Sequence, residues 1–293
     1  MINAALIIDL AIKTSIVLMV FALGLKTGKG DVLYLLSCPG LLIRSILSMN
    51  VAMVGIAIAI ASLFNLPFPV KLALIALAIS PVPPILPTKQ QKAGGSASYA
   101  VSLLVCASLA AIVLAPLAVH FAGAFFDRQT AISSWAVSKV VLVTVIAPMV
   151  AGIAFTVLLP DIGARAARPV SIAGTALLAV AVLPLLFTAT ETIWTLVGNG
   201  VALALVAFAL LGLAIGHLLG GPKPETRVVL ALATSTRHPG VALAIVNINF
   251  PGEKATLAVV LYHLVIGTIV CIPYVKWSRA RAATAGLGAG MQP

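Results

Sequence analysis

Apolar residues run along this chain in blocks, at about 4–25, 41–64, 69–88, 95–122, 131–159, 169–190, 197–219, 227–249 and 254–275, with glycine, proline or charge between them. A hydrocarbon core about 30 Å thick takes roughly 20 apolar residues per helix, and the blocks are roughly that long. The strands of a membrane barrel would alternate apolar and polar side chains over about ten residues. These blocks are apolar all round, so the pattern predicts an all-α membrane protein with nine transmembrane helices.

Composition strengthens the reading. The 293 residues are 61% hydrophobic and 9% charged, where a soluble domain is about a quarter charged. Little chain is left for a soluble domain. The first block, opening "MINAALIIDL", has no basic leader and runs from Lys13 to Lys26 and Lys29 without a small-residue cleavage site, which predicts a retained helix. Cys38, Cys106 and Cys271 show no CxxC spacing and read as small buried residues, neither disulfides nor metal ligands.

Position explains the net charge of +11. With nine spans, one side collects Lys26, Lys29, Lys89, Lys92, Arg165, Arg168, Lys223, Arg227, Lys276, Arg279 and Arg281, and the other only Lys71, Arg128 and Lys254. Cytoplasmic loops gather Lys and Arg. The expectation is an inner (plasma) membrane protein with its amino terminus outside and its carboxyl terminus cytoplasmic, whose basic pI reflects topology and implies no nucleic-acid partner.

Two blocks are interrupted. In 80–116, Pro81, Pro83, Pro84 and Pro87 end one span, and Gly94–Gly95 open the next beside Ser96, Ser98, Tyr99 and Ser102; in "ATSTRHPGVALAIVN", 233–247, Arg237, His238, Pro239 and Gly240 stand in a row. Non-helical backbone at membrane depth survives only in protein interior or along a cavity. Paired interruptions at matching places in two halves point to a transporter site. These fall in the fourth and eighth blocks, which match if the first helix of a five-plus-five plan is missing. The repeats would then be 1–130 (four helices) and 131–280 (five), with a cytoplasmic tail over 281–293.

The order of motifs resembles the bile acid:sodium symporter superfamily. "AGGSASYAVSLL" is similar to that family's Gly-Gly-Thr-Ala-Ser-Asn opening of a broken helix, with Gly94, Gly95, Ala97 and Ser98 in register. "VFALGLKTGKGDV" looks like its Gly-Leu-x-Leu turn, "FNLP" (64–67) like its Leu-Asn-Leu-Pro loop, "GLAIGHLLG" (212–220) like its spaced glycines, and "YHLVIG" (262–267) like its Trp-His-Asn segment. The resemblance implies an inverted-repeat fold of panel and core domains, two discontinuous helices crossing at the centre, and transport of organic anions, usually with sodium.

The departures bear on sodium. The resemblance sets Ala233 where the family has a sodium-binding glutamate, Ser235 at its glycine, Arg237 at its glutamine and His238 at its asparagine. Tyr99 stands at another asparagine, and Asn50 is the amide nearest the family's glutamine on the third helix. Hard cations prefer carboxylate oxygens, yet Asp9, Asp31, Asp127, Asp161, Glu191, Glu225 and Glu253 all fall at or near predicted span ends. No cofactor is expected, and sodium coupling is disfavoured relative to proton coupling or none.

An arginine deep in a bilayer costs at least about 2.5 kcal/mol on insertion scales, so Arg237 needs a partner or an exit. Its planar fork suits carboxylate, phosphate or sulfonate, and a helix restarting at Pro239 adds a positive dipole end. One reading makes Arg237, with Thr234, Ser235 and Thr236, the clamp for a small organic anion, the expected partner besides the bilayer. The other has it snorkelling to an interface. His238 is a candidate proton site or a structural hydrogen bonder, and His263 is likewise divided. His120 and His217 read as span-end residues. Ser96, Ser98 and Ser102 suit a polar pathway or close helix packing, Tyr99 a substrate hydroxyl or an anchor, and Lys139 snorkelling or internal hydrogen bonding. No HExxH and no acid pair within one span supports an enzyme. A transporter-derived sensor is the remaining alternative to a carrier.

Overall fold

The computed structural model describes residues 4–28, 30–125, 135, 139, 141–197, 200–250 and 253–289. Lys29, Asp127 and Arg128 of the charge pattern, and most of the start of the 131–159 block, lie outside them. All regular structure among the described residues is helical. The helices are α1 (Ala4–Leu25), α2 (Pro39–Ile46), α3 (Met53–Leu63), α4 (Phe68–Ile79), α5 (Leu86–Lys92), α6 (Ala97–Phe125), α7 (Ala147–Leu158), α8 (Pro160–Val197), α9 (Val201–Leu219), α10 (Pro224–Ser235), α11 (Pro239–Asn249) and α12 (Lys254–Ala289). Among the described residues, five stretches are long and apolar enough to cross a membrane: Pro39–Leu63, Ala97–Leu114, Pro160–Pro184, Val201–Leu219 and Ala255–Thr284. Helices over Leu10–Leu25, Phe68–Ile79 and Leu142–Leu158 are apolar but shorter.

Proline starts several of these helices. Pro39, Pro224 and Pro239 sit in the first turns of α2, α10 and α11, where a missing N–H breaks no ladder bond. Two π-helical stretches, Leu47–Ala52 between α2 and α3 and Leu142–Ile146 before α7, widen the turn and shift which carbonyls are free. The predicted tail from 281 begins inside α12, which stays helical to Ala289.

Helix α1 packs against α7 and α8, and α9 against α10, while α12 touches α4, α8, α9 and α11. Glycines set the two tightest approaches. A Cβ on Gly152 of α7 would lie 2.3 Å from the Phe21 carbonyl oxygen, and one on Gly24 would lie 2.5 Å from that of Met149. Backbone against backbone leaves no side chain to swing aside. Gly152→Ala is therefore expected to destabilise the protein by about 1–3 kcal/mol, read as a lowered thermal unfolding midpoint in detergent. An unchanged midpoint would contradict so close a crossing. Gly212 and Gly216 of α9, with Gly220 just past its end, form a stripe at four-residue spacing that meets Ser235, Ala231 and Arg227 of α10, the small-residue packing membrane helices use in place of a hydrophobic driving force.

The third apolar block, 69–88, is expected as one span, and the structure divides it. Helix α4 stops at Ile79, Ser80 is extended with φ −70° and ψ 146°, and α5 begins at Leu86. Pro81, Pro83 and Pro84 remove three donors from the intervening stretch, so no helix can be carried through it. By contrast Gly94–Gly95 form only the turn from α5 to α6, with Gly94 at φ +88°, a left-handed conformation glycine adopts without strain. Within the 80–116 segment the helix is thus interrupted at the prolines, ahead of the Gly94–Gly95 pair.

Candidate functional site

The two interruptions meet. Between α10 and α11, Thr236–His238 are extended, and the His238 backbone N–H donates to the Pro81 carbonyl at 3.0 Å. Each break leaves main-chain groups without a helical partner, and the crossing pairs a donor of one with an acceptor of the other.

Arg237 lies in this crossing and is 2% exposed. So low an exposure argues against the snorkelling alternative. Nη1 donates to the Ser80 carbonyl at 3.2 Å, and Nη2 donates to the Met49 carbonyl. Nε has no hydrogen-bond partner. Among the described residues no carboxylate pairs with the charge. The Met49 carbonyl comes from the π-helical stretch, so three separately irregular segments converge on one side chain.

Neighbouring groups are hydroxyls and imidazoles. The Thr234 hydroxyl shares a 2.7 Å hydrogen bond with that of Ser48, and Ser235 donates to the Ala209 carbonyl at 2.8 Å with the Cys271 sulfur 3.7 Å away. Thr236 is half-buried at the end of α10. His238 caps α11, its Nδ1 accepting from the Val241 N–H at 3.4 Å, which orients one ring nitrogen structurally. His263 of α12 is buried, lies within electrostatic reach of Arg237, packs edge-on to Phe208 at 5.4 Å, and leaves Nδ1 without a partner. Thr234, Ser235, Thr236, Arg237, His238 and His263 are thus brought together. The Ser48 hydroxyl and the carbonyls of Met49, Ser80 and Pro81 join them; no residue-type signal marks a main-chain oxygen, although the proline run marks two of these.

The residues around Gly94–Gly95 are not at the crossing. The Ser98 hydroxyl donates to the Asp31 carboxylate, the Ser96 N–H donates to the Glu225 carbonyl at 3.3 Å, and Ser102 bridges the Leu35 N–H and the Val32 carbonyl. The Ser98 and Ser102 bonds tie the start of α6 to the segment between α1 and α2, and the Ser96 bond ties it to the start of α10. Tyr99, fully buried, shares a 2.8 Å hydrogen bond with Ser45. Asn50 lines a small cavity with Ser45, Met49 and Cys106, and Arg237 is not among the residues lining it. Of the remaining candidates, Lys139 is exposed and His217 bonds the Tyr274 hydroxyl at 2.8 Å. The three cysteines are free thiols.

Comparison with curated proteins found no match. The model of the Sodium Bile acid symporter family matches residues 14–196, a stretch that contains the Met49 and Ser80 carbonyls and stops short of Arg237. Apolar helices, a proline break at Ser80–Pro84 and a match over more than half the chain agree: the protein is an integral membrane protein and belongs to the Sodium Bile acid symporter family, a family of membrane transporters.

Proposed function

We propose that this protein is a secondary-active carrier of small organic anions, with Arg237 as the residue that binds the anionic group. One observation carries the reading: a buried guanidinium with an unpaired Nε and, among the described residues, no carboxylate, held where two helix breaks meet. A desolvated ion without a counter-charge costs several kcal/mol, and an arriving carboxylate, sulfonate or phosphate removes that cost. The amino-terminal end of α11 adds its dipole at the same point. Thr234, Ser235 and Thr236 supply hydroxyls around the anion, and His238 and His263 flank it. In this reading α1, α7 and α8 form a panel against which the remaining helices rock, in a nine-helix plan with a cytoplasmic carboxyl terminus. Arg237 supplies the positive charge that a co-bound sodium supplies elsewhere, which leaves transport proton-coupled or uncoupled.

Uptake of a panel of labelled organic acids into proteoliposomes, with and without sodium and with and without a pH gradient, tests this. The expected result is saturable uptake of at least one acid that does not require sodium. A strict sodium requirement would favour the alternative, a symporter with altered ion ligands. Binding without flux for every acid bound would favour a sensor.

A further inference from the structure

Helix α12 has 36 residues, about 54 Å at 1.5 Å per residue, far more than a hydrocarbon core of about 30 Å requires. Its exposed side chains change character along its length. Val265, Ile269 and Ile272 are exposed at three- and four-residue steps, a stripe that faces outward. The next residue of that stripe is Lys276, exposed, followed by Trp277, 43% exposed. One turn beyond, Arg281 lies over the Trp277 ring at 4.8 Å, and Arg279 is exposed between them. Leu218 of α9 is 78% exposed, and its neighbour His217 meets Tyr274 edge-on at 5.7 Å and the tilted ring of Trp277 at 5.6 Å. The sequence holds no acidic residue after Glu253.

We infer that this collar is a binding site for an anionic phospholipid, its phosphate on Lys276, Arg279 and Arg281 and its acyl chains along Ile269, Ile272 and Leu218. The continuity of apolar stripe, aromatic residue and cation distinguishes a lipid from a soluble anion, because a soluble phosphate has no use for the stripe. Trp sits at headgroup level in membrane proteins, and clustered cations beside a span attract anionic headgroups. The collar is also joined to the transport machinery. Arg279 Nε donates to the Lys92 carbonyl at 2.8 Å and the Ser278 hydroxyl to that of Ala93 at 2.8 Å. Both carbonyls close the end of α5, the half-helix that follows the proline break, so a lipid held here bears on the element next to that break.

Quenching of Trp277 by brominated lipids tests the site in the full chain, with Trp135 and Trp194 replaced by phenylalanine. Brominated phosphatidylglycerol is expected to displace phosphatidylcholine from Trp277 with a preference of about fivefold or more, reduced by high salt. Lys276→Gln, Arg279→Gln and Arg281→Gln together are expected to bring the preference to about one. Because Arg279 also ties α12 to α5, the pair Lys276→Gln/Arg281→Gln is measured separately and is expected to lose most of the preference while remaining folded. Equal quenching by the two lipids, or a preference that survives both variants, overturns the proposal. Displacement by inorganic phosphate at matched ionic strength overturns it too, since that marks a site for soluble phosphate.

Discussion

Arg237→Met is expected to abolish saturable anion uptake while leaving the fold as stable as before or more so. The two effects have opposite signs because one side chain does two things. Removing one partner of a buried, hydrogen-bonded charge pair costs about 2–5 kcal/mol, so binding of the anion weakens about 30-fold or more. In the structure the same guanidinium has two carbonyl acceptors, an unpaired Nε and, among the described residues, no carboxylate. An apolar side chain of similar volume relieves that desolvated charge, and the unfolding midpoint holds or rises by about 2–4 °C per kcal/mol gained. Lysine, a point charge without the fork, is expected to fall between, with a raised KM. Uptake by proteoliposomes matched for folded protein checks the first effect, and thermal unfolding in detergent the second. If Arg237→Met unfolds the protein while its folded fraction transports normally, the residue is structural and the anion site lies elsewhere.

Gly216→Leu is expected to lower sharply the yield of folded protein. A Cβ at this position would lie 2.5 Å from both the Ala231 Cα and the Leu230 carbonyl oxygen, and a branched side chain would push α9 and α10 apart. Overpacking against backbone costs about 3 kcal/mol or more, a large share of a stability of about 5–15 kcal/mol. Yield of monodisperse material after detergent extraction, set beside the parent, gives the readout. Gly212→Ala is the gentler counterpart. Its Cβ would lie 2.8 Å from the Ser235 Cα, two residues before Arg237, so this variant is expected to fold and to show a raised KM. Normal yield of Gly216→Leu would mean that the two helices pack more loosely than the stripe implies.

The helical class and most of the helix limits were legible because apolar blocks of membrane length have few other meanings. The second break was legible as well, since Arg237, His238, Pro239 and Gly240 depart together from an apolar run. The first break was misplaced by one helix. Gly94–Gly95 carried the stronger motif likeness, but a glycine pair serves a turn between helices as readily as an interruption. Four prolines within seven residues at 81–87 disrupt a helix outright, and the physical signal was the better guide. That misplacement drew Ser96, Ser98 and Tyr99 into the candidate site, whereas their bonds run to Glu225, Asp31 and Ser45. The π-helical stretch at Leu47–Ala52 was invisible, because one extra residue in a turn alters no periodicity that a short apolar run reveals. Asn50 was therefore chosen for its amide, while the group that reaches Arg237 is the main-chain oxygen one residue earlier.

The guanidinium rests on the oxygens of Met49 and Ser80, atoms that every amino acid possesses. Substitution at either position can alter bulk or polarity nearby and still leave the cradle intact, provided the chain keeps its path. Evolutionary constraint should therefore fall on the features that bend the backbone, and relatives could share this cradle while differing at both residues that form it.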